Sequence, residues 1–143
     1  AAVPEGYIFA QHLAPLPTLP TRVPDYTAIA ERFIGLPYLW GGRSSFGIDC
    51  SGLVQLVLNA SGLAATRDSG PQSETIGKAL PLDTALRRGD LVFWKGHVGI
   101  MRDAETLLHA TAYSMSVMSE PLAPMVARVV AQGDGEITAI RRV

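Results

Sequence analysis

The chain has 143 residues, 48% of them apolar and 17% charged, and a net formal charge of −1 at pH 7. This length suits one domain with a sizeable core, and the balance excludes a disordered chain and gives no basic cluster for a nucleic-acid partner. One cysteine excludes an internal disulfide, and no apolar run approaches the ~20 residues that span a bilayer.

Residues 1–24 hold five of the ten prolines, Pro4, Pro15, Pro17, Pro20 and Pro24. Proline removes backbone donors and stiffens the chain, so the segment reads as an extended linker. Within it "GYIFAQHL" alternates weakly like a strand, and His12 reads as an incidental polar residue. A lone strand cannot fold by itself, so it is expected to be the tail of an upstream domain. No basic start followed by an apolar block opens the chain. A leader removed by processing would leave the same beginning, so the compartment stays open.

A helix is expected over "DYTAIAERFIG", with Asp25 as cap and Gly35 as stop. A second helix follows Cys50, where Leu53, Val54, Val57 and Leu58 recur at helical spacing and Gly62 ends the run. Its apolar residues lie on more than one side, which predicts burial. "SGPQSETIGKAL" suggests a shorter helix capped by Ser69. The second half changes period. "DLVFW", "HVGIMR", "TLLHATAY", "SVMSEPL" and "ITAIRRV" are short, β-rich and separated by Gly, Asp or Pro. Their hairpin spacing predicts an antiparallel sheet, and helices followed by strands imply an α+β domain.

Cys50 stands between the flexible "GGRSSFGID" and an apolar helix. A lone cysteine is often a small buried hydrophobe. A helix N-terminus, however, offers unpaired N–H groups and partial positive charge, which favour a thiolate and could hold an oxyanion. A nucleophilic thiolate needs a base and a group to orient it. His97 opens one strand, His109 closes the next, and "RDAE" lies between them. A hairpin centred near Asp103 sets the two imidazoles opposite each other on one face, with His97 as base and His109 as its orienting partner. The rival use of Cys50, His97 and His109 is zinc binding. No ligand pair has the short spacing of a metal hairpin and no fourth ligand is evident, so no metal and no cofactor are expected.

Four pieces, "PYLWGG" (37–42), "DCSGLVQ" (49–55), "RRGDLVFW" with "HVGIM" (87–101) and "LLHA" (107–110), together resemble the NlpC family of bacterial cell-wall cysteine peptidases. The resemblance covers roughly residues 25–143. The order Cys before His is similar to the unpermuted members. The resemblance implies a papain-like NlpC-type fold, with N-terminal helices on an antiparallel sheet of about five or six strands. It implies Cys50 as nucleophile, His97 as base and His109 as third residue. Tyr38 matches a tyrosine whose hydroxyl points into the site, for the oxyanion or the substrate amine. Asp49 and Ser51 match residues that bind the ammonium of a free N-terminal L-Ala-γ-D-Glu unit; Asp49 could also cap the helix. Arg67 and Asp68 resemble a structural stretch, and Trp40 and Trp94 are taken as packing or pocket walls.

The partners implied are peptidoglycan peptides, cut most favourably between γ-D-Glu and diaminopimelate or L-Lys, with neither nucleic acid nor membrane. An N-acetylmuramoyl-L-alanine amidase, an acyl transferase or a non-catalytic wall-binding domain are the alternatives. Residues 1–24 then read as linker and tail of an absent upstream SH3-like domain, and 25–143 as the catalytic domain. The implied setting is bacterial, in the cytoplasm for recycling of wall peptides or in the envelope.

Overall fold

The computed structural model describes residues 25–133 and 135–143, together with the backbone of 2–3 and 6–7. Strands β1 (Ala2–Val3) and β2 (Gly6–Tyr7) pair antiparallel. Gly6–Tyr7 opens the expected strand; the rest of it, His12 and the proline-rich linker lie outside the described residues.

Asp25 caps α1 (Tyr26–Glu31), its Oδ1 accepting from the N–H groups of Thr27 and Ala28. The helix ends before the predicted Phe33, in turns that run to Gly35 at φ +90°. A short hairpin, β3 (Arg43–Ser44) and β4 (Gly47–Ile48), follows and leads into α2 (Cys50–Ala60). Gly62 closes α2 at φ +77°. Helix α3 (Ser69–Thr75) starts one residue earlier than a Ser69 cap requires: Asp68 holds the cap position, without a side-chain bond.

Strands β5 (Lys78–Leu80), β6 (Leu91–Trp94), β7 (His97–Met101), β8 (Thr106–Thr111), β9 (Ser116–Pro121) and β10 (Ala139–Arg142) build one antiparallel sheet. Its order is β5-β10-β6-β7-β8-β9. The meander β6 to β9 follows the expected hairpins. Strand β10 returns from the far side of α4 (Leu122–Ala131) to lie between β5 and β6. The α+β class and the six-stranded sheet match the expectation; β5, α4 and the β3–β4 hairpin were not predicted.

Side chains alternate across the sheet, so it has two faces. Leu91, Phe93, Val98, Ile100, Leu108 and Ala110 pack under Leu53, Val54, Val57 and Leu58 of α2. Val92, Trp94, Met101 and Leu107 pack under Met125 of α4, with Leu122, Val126 and Val129 at its border. Each helix therefore keeps water off one side of the strands that carry the histidines.

Asp90 ties β10 to the start of β6. Its side chain is 1% exposed and accepts from Arg142 Nε at 2.7 Å, Arg142 Nη2 at 2.6 Å and the Arg87 N–H at 2.9 Å. A buried carboxylate that loses its guanidinium is left uncompensated. Arg142→Met is expected to lower unfolding free energy by about 3 kcal/mol in urea denaturation at pH 7. A change below about 0.5 kcal/mol would show that the pair merely decorates the strand junction.

Candidate active site

The site is assembled from the start of α2, the loop before it and the strands β7 to β9. Asp49 is the cap of α2. Its Oδ1 accepts from the Gly52 N–H at 2.7 Å and from Arg67 Nη1 at 2.9 Å. Its Oδ2 accepts from the Gly41 N–H at 2.8 Å and from Arg67 Nη2 at 2.6 Å. With the Ser51 hydroxyl, which donates to Oδ1 at 3.4 Å, these donors fill the acceptor capacity of one carboxylate. Burial raises the Asp49 carboxyl, but Arg67 and the backbone donors outweigh it and hold the group below its usual range.

Glycine at 42 and 52 permits this wrapping. A Cβ on Gly42 would stand 2.5 Å from the Gly47 carbonyl oxygen, and one on Gly52 would stand 2.7 Å from that of Gly42. The loop "WGG" therefore lies directly on the first turn of α2, where the Asp49 N–H also donates to the Gly42 carbonyl.

Cys50 is the first residue of α2 and is 8% exposed. The backbone N–H groups of Val98, Ser51 and Cys50 itself surround its sulfur and favour the thiolate, as a helix N-terminus should. Burial outweighs them and pushes the thiol up. A pre-formed thiolate, expected from the helix terminus alone, is thus opposed by the dryness of the site. The Val98 contact sets the sulfur against the backbone of the residue that follows His97.

His97 and His109 do meet. His97 Nε2 lies 2.8 Å from His109 Nδ1, with the ring centroids 5.0 Å apart and the planes nearly perpendicular. The register differs from the expected one. Ile100 pairs with Leu108 and Met101 with Leu107, so the turn centres on Ala104 rather than Asp103. His97 is therefore diagonal to His109 rather than directly opposite, a separation long rings can bridge. The turn is held by Asp103, whose Oδ1 accepts from the Glu105 and Thr106 N–H groups. Burial, and then the neighbouring His109, push His97 down to about 3 despite Glu120. Burial also lowers His109, against the pull of Glu120. Both imidazoles are thus neutral near pH 7.

His109 Nε2 lies 3.0 Å from Glu120 Oε1, and Arg128 of α4 grips Glu120 through two bonds of 2.6 and 2.9 Å. The sequence reading missed Glu120 and Arg128. The register that sets His109 against Met118 and Leu107 against Glu120 places His109 and Glu120 on one face.

The remaining expectations divide. Tyr38 is half-buried; burial, then Cys50 and Asp49, raise its hydroxyl, so it stays protonated and able to donate. Ser51 is buried, and its Oγ accepts from Arg67 Nη1 at 3.0 Å. Asp49 and Ser51 thus share one guanidinium, the place expected for a substrate ammonium. Arg67 has the structural role read for it, while Asp68 caps α3 weakly. Trp40 is 88% exposed, so it is no packing residue; Trp94 is buried and helps to wall a cavity. That cavity, about 360 Å³, reaches Tyr38, His97, Thr111, Tyr113 and Arg128. Among the described residues, no group of three or more His, Cys, Asp or Glu is placed to hold a metal ion.

A match to the NlpC/P60 family covers residues 35–132. The γ-D-glutamyl-L-lysine dipeptidyl-peptidase of Bacillus subtilis is 42% identical over 93 residues, which is 59% of this chain and 31% of that protein. The enzyme of the same name from Bacillus cereus is 37% identical over 106 residues, 68% of this chain and again 31% of the relative. The chain spans about a third of the length of these curated relatives. A crystal structure of an NlpC/P60 family protein from Bacillus cereus superposes at TM-score 0.69 and 33% identity, covering 82% of this chain and 39% of that one. The peptidoglycan hydrolase RipB of Mycobacterium tuberculosis gives 0.68 at 27% identity, covering 82% of this chain and 62% of that one.

The half-buried His97 and the buried His109 make stability depend on pH with a defined sign. His97 ordinarily titrates near 6.5 and is held at about 3 when folded. Below pH 6.5 the unfolded chain takes up a proton that the folded chain refuses, so stability present above pH 6.5 is lost as pH falls toward 3. The depressed Glu31, at about 2, contributes its own loss only below about pH 4.5. Between pH 6.5 and 4.5 the slope should therefore be histidine-derived, about 1.4 kcal/mol per pH unit from His97, with His109 adding in the same direction. His97→Asn should give a visibly flatter curve in urea denaturation; parallel curves would mean that the His97 ring is solvated.

Proposed function

The chain belongs to the NlpC/P60 family, and on that premise we propose that it is the catalytic domain of a cysteine peptidase acting on peptidoglycan stem peptides. The favoured bond joins γ-D-Glu to diaminopimelate or L-Lys. The observation that carries this reading is the contact of His97 Nε2 with His109 Nδ1 at 2.8 Å, together with Cys50 at the first position of α2. The relatives named as γ-D-glutamyl-L-lysine dipeptidyl-peptidases support the choice of bond.

The chemistry follows from neutral partners. As the Cys50 sulfur attacks the γ-carbonyl carbon of D-Glu, its proton passes to the free nitrogen of His97, Nδ1. Burial disfavours each charge alone, but the transfer creates both together, and they attract at short range in a dry site. The Cys50 N–H and the Tyr38 hydroxyl hold the oxyanion, each donor contributing about 3 kcal/mol. The imidazolium then gives its proton to the leaving amine, the C–N bond breaks, and an acyl-thioester remains. Water adds to the thioester with His97 again taking a proton, and the thiol is restored.

Arg67 sets a condition on amine recognition. An ammonium at Asp49 and Ser51 binds by displacing guanidinium hydrogen bonds, since Arg67 already occupies both residues. Residues 1–24 fit the linker and tail of an upstream SH3-like domain that closes the amine end of the groove.

Incubation with defined muropeptides tests the proposal. L-Ala-γ-D-Glu-diaminopimelate should be cut at the γ-D-glutamyl bond, with masses of the two products to match. Products of muramoyl–alanine cleavage or of acyl transfer would replace the peptidase reading by those activities. Cys50→Ala should lose more than about 10³-fold in turnover, and a variant with undiminished cleavage refutes the nucleophile. Asp49→Asn should hurt free-amine substrates more than amine-blocked ones. Equal losses on both mean that Asp49 serves Arg67 and the helix alone.

A further inference from the structure

The chain of contacts behind the histidines has a direction. Glu120 is buried, and Arg128 binds both of its oxygens. Burial raises the Glu120 carboxyl, yet Arg128 and His109 outweigh it and hold the group below its usual range. Glu120 is therefore a carboxylate, and a carboxylate only accepts hydrogen bonds. The nitrogen facing it at 3.0 Å, His109 Nε2, must carry the hydrogen. A neutral imidazole has a single N–H, so His109 Nδ1 holds a lone pair. His97 Nε2, 2.8 Å away, must then donate to it. That leaves the lone pair of His97 on Nδ1.

We infer that Glu120, gripped by Arg128, is a positioning residue that fixes the tautomers of His109 and His97 in series and so presents His97 Nδ1 as the proton acceptor. The inference rests on the proposed role of His97 as base. Three strands and one helix each supply one member: His97 from β7, His109 from β8, Glu120 from β9 and Arg128 from α4. Arg128 is itself steadied by the ring of Tyr113, whose centroid lies 3.8 Å from the guanidinium carbon. A carboxylate oriented this way toward an imidazole sets its tautomer in other hydrolases, where losing the charge costs orders of magnitude in turnover. Glu120 stands one imidazole further from the reacting atoms, so a smaller loss of about tenfold to a hundredfold is expected.

The test is a ¹⁵N spectrum of the histidine rings in the whole chain, joined to kinetics on a muropeptide. In the unaltered protein at pH 7, His97 and His109 should both show protonated Nε2 and unprotonated Nδ1. An Nδ1–H form at His109 would overturn the inference. Glu120→Gln should mix the tautomers of both rings and lower kcat at least about tenfold, with KM held within about twofold. Unchanged tautomers with unchanged kcat would also overturn it. If the variant does not fold, the spectrum of the unaltered protein decides by itself. Retained turnover in His97→Ala would instead remove the base from the proposed function, and the ring spectrum would still read the tautomers independently.

Discussion

The carboxylate of Asp49 is the point on which the geometry of Cys50 depends. It closes the first turn of α2, holds the preceding loop through Gly41 and neutralises Arg67, all within 2.6 to 2.9 Å. Charge-assisted bonds of this kind are shorter and stronger than neutral ones, and here they converge on one nearly buried group. Remove that charge and three separate chain segments lose their common anchor. The nucleophile follows immediately in sequence, so its backbone inherits whatever precision the cap has. Turn, cap and thiol are thus one construction, with glycines wherever the backbones touch.

The second determinant is dryness. The α2 face of the sheet is filled by residues such as Ile48, Leu53, Val98 and Ile100, all essentially without solvent exposure. Opposite it, Met125 and its neighbours on α4 cover Trp94, Met101 and Leu107. In such surroundings a thiol and an imidazole are held in their uncharged forms, and the Val98 and Ser51 amides do not reverse that for the sulfur. The core therefore decides the resting protonation of the chemical groups as well as the stability of the fold. Ion separation belongs to the encounter with substrate, when both charges arise side by side.

Much of this was legible in the residues, and the exceptions have physical reasons. Cys50 ahead of Leu53, Val54, Val57 and Leu58 announces a helix with its thiol at the start, because burial on one face imposes that spacing. The strands around His97 and His109 are visible through their β-branched and apolar residues and intervening turns. The exact pairing was not, since Asp103 caps a turn centred one residue later than symmetry about the aspartate suggests. Helix α4 was not predicted; it carries Pro124 in its first turn, where proline is tolerated. Leu122, Met125, Val126 and Val129, at i, i+3, i+4 and i+7, were the signal that could have found it. Glu120 and Arg128 could not be paired without that helix, because their meeting depends on where α4 lies against β9.

Strand β10 has a consequence for how the domain comes into being. It bridges β5 and β6, and it follows α4 in the chain. Until it is made, β5 has no neighbour in the sheet and the β6 to β9 meander has an open edge at β6. A ribosome must therefore release residues 139–142 before the hydrogen-bond ladder can close, and such distant pairings form slowly. A nascent chain stalled short of Ala139 carries His97, His109 and the thiol, yet holds a split sheet with a bare, adhesive border.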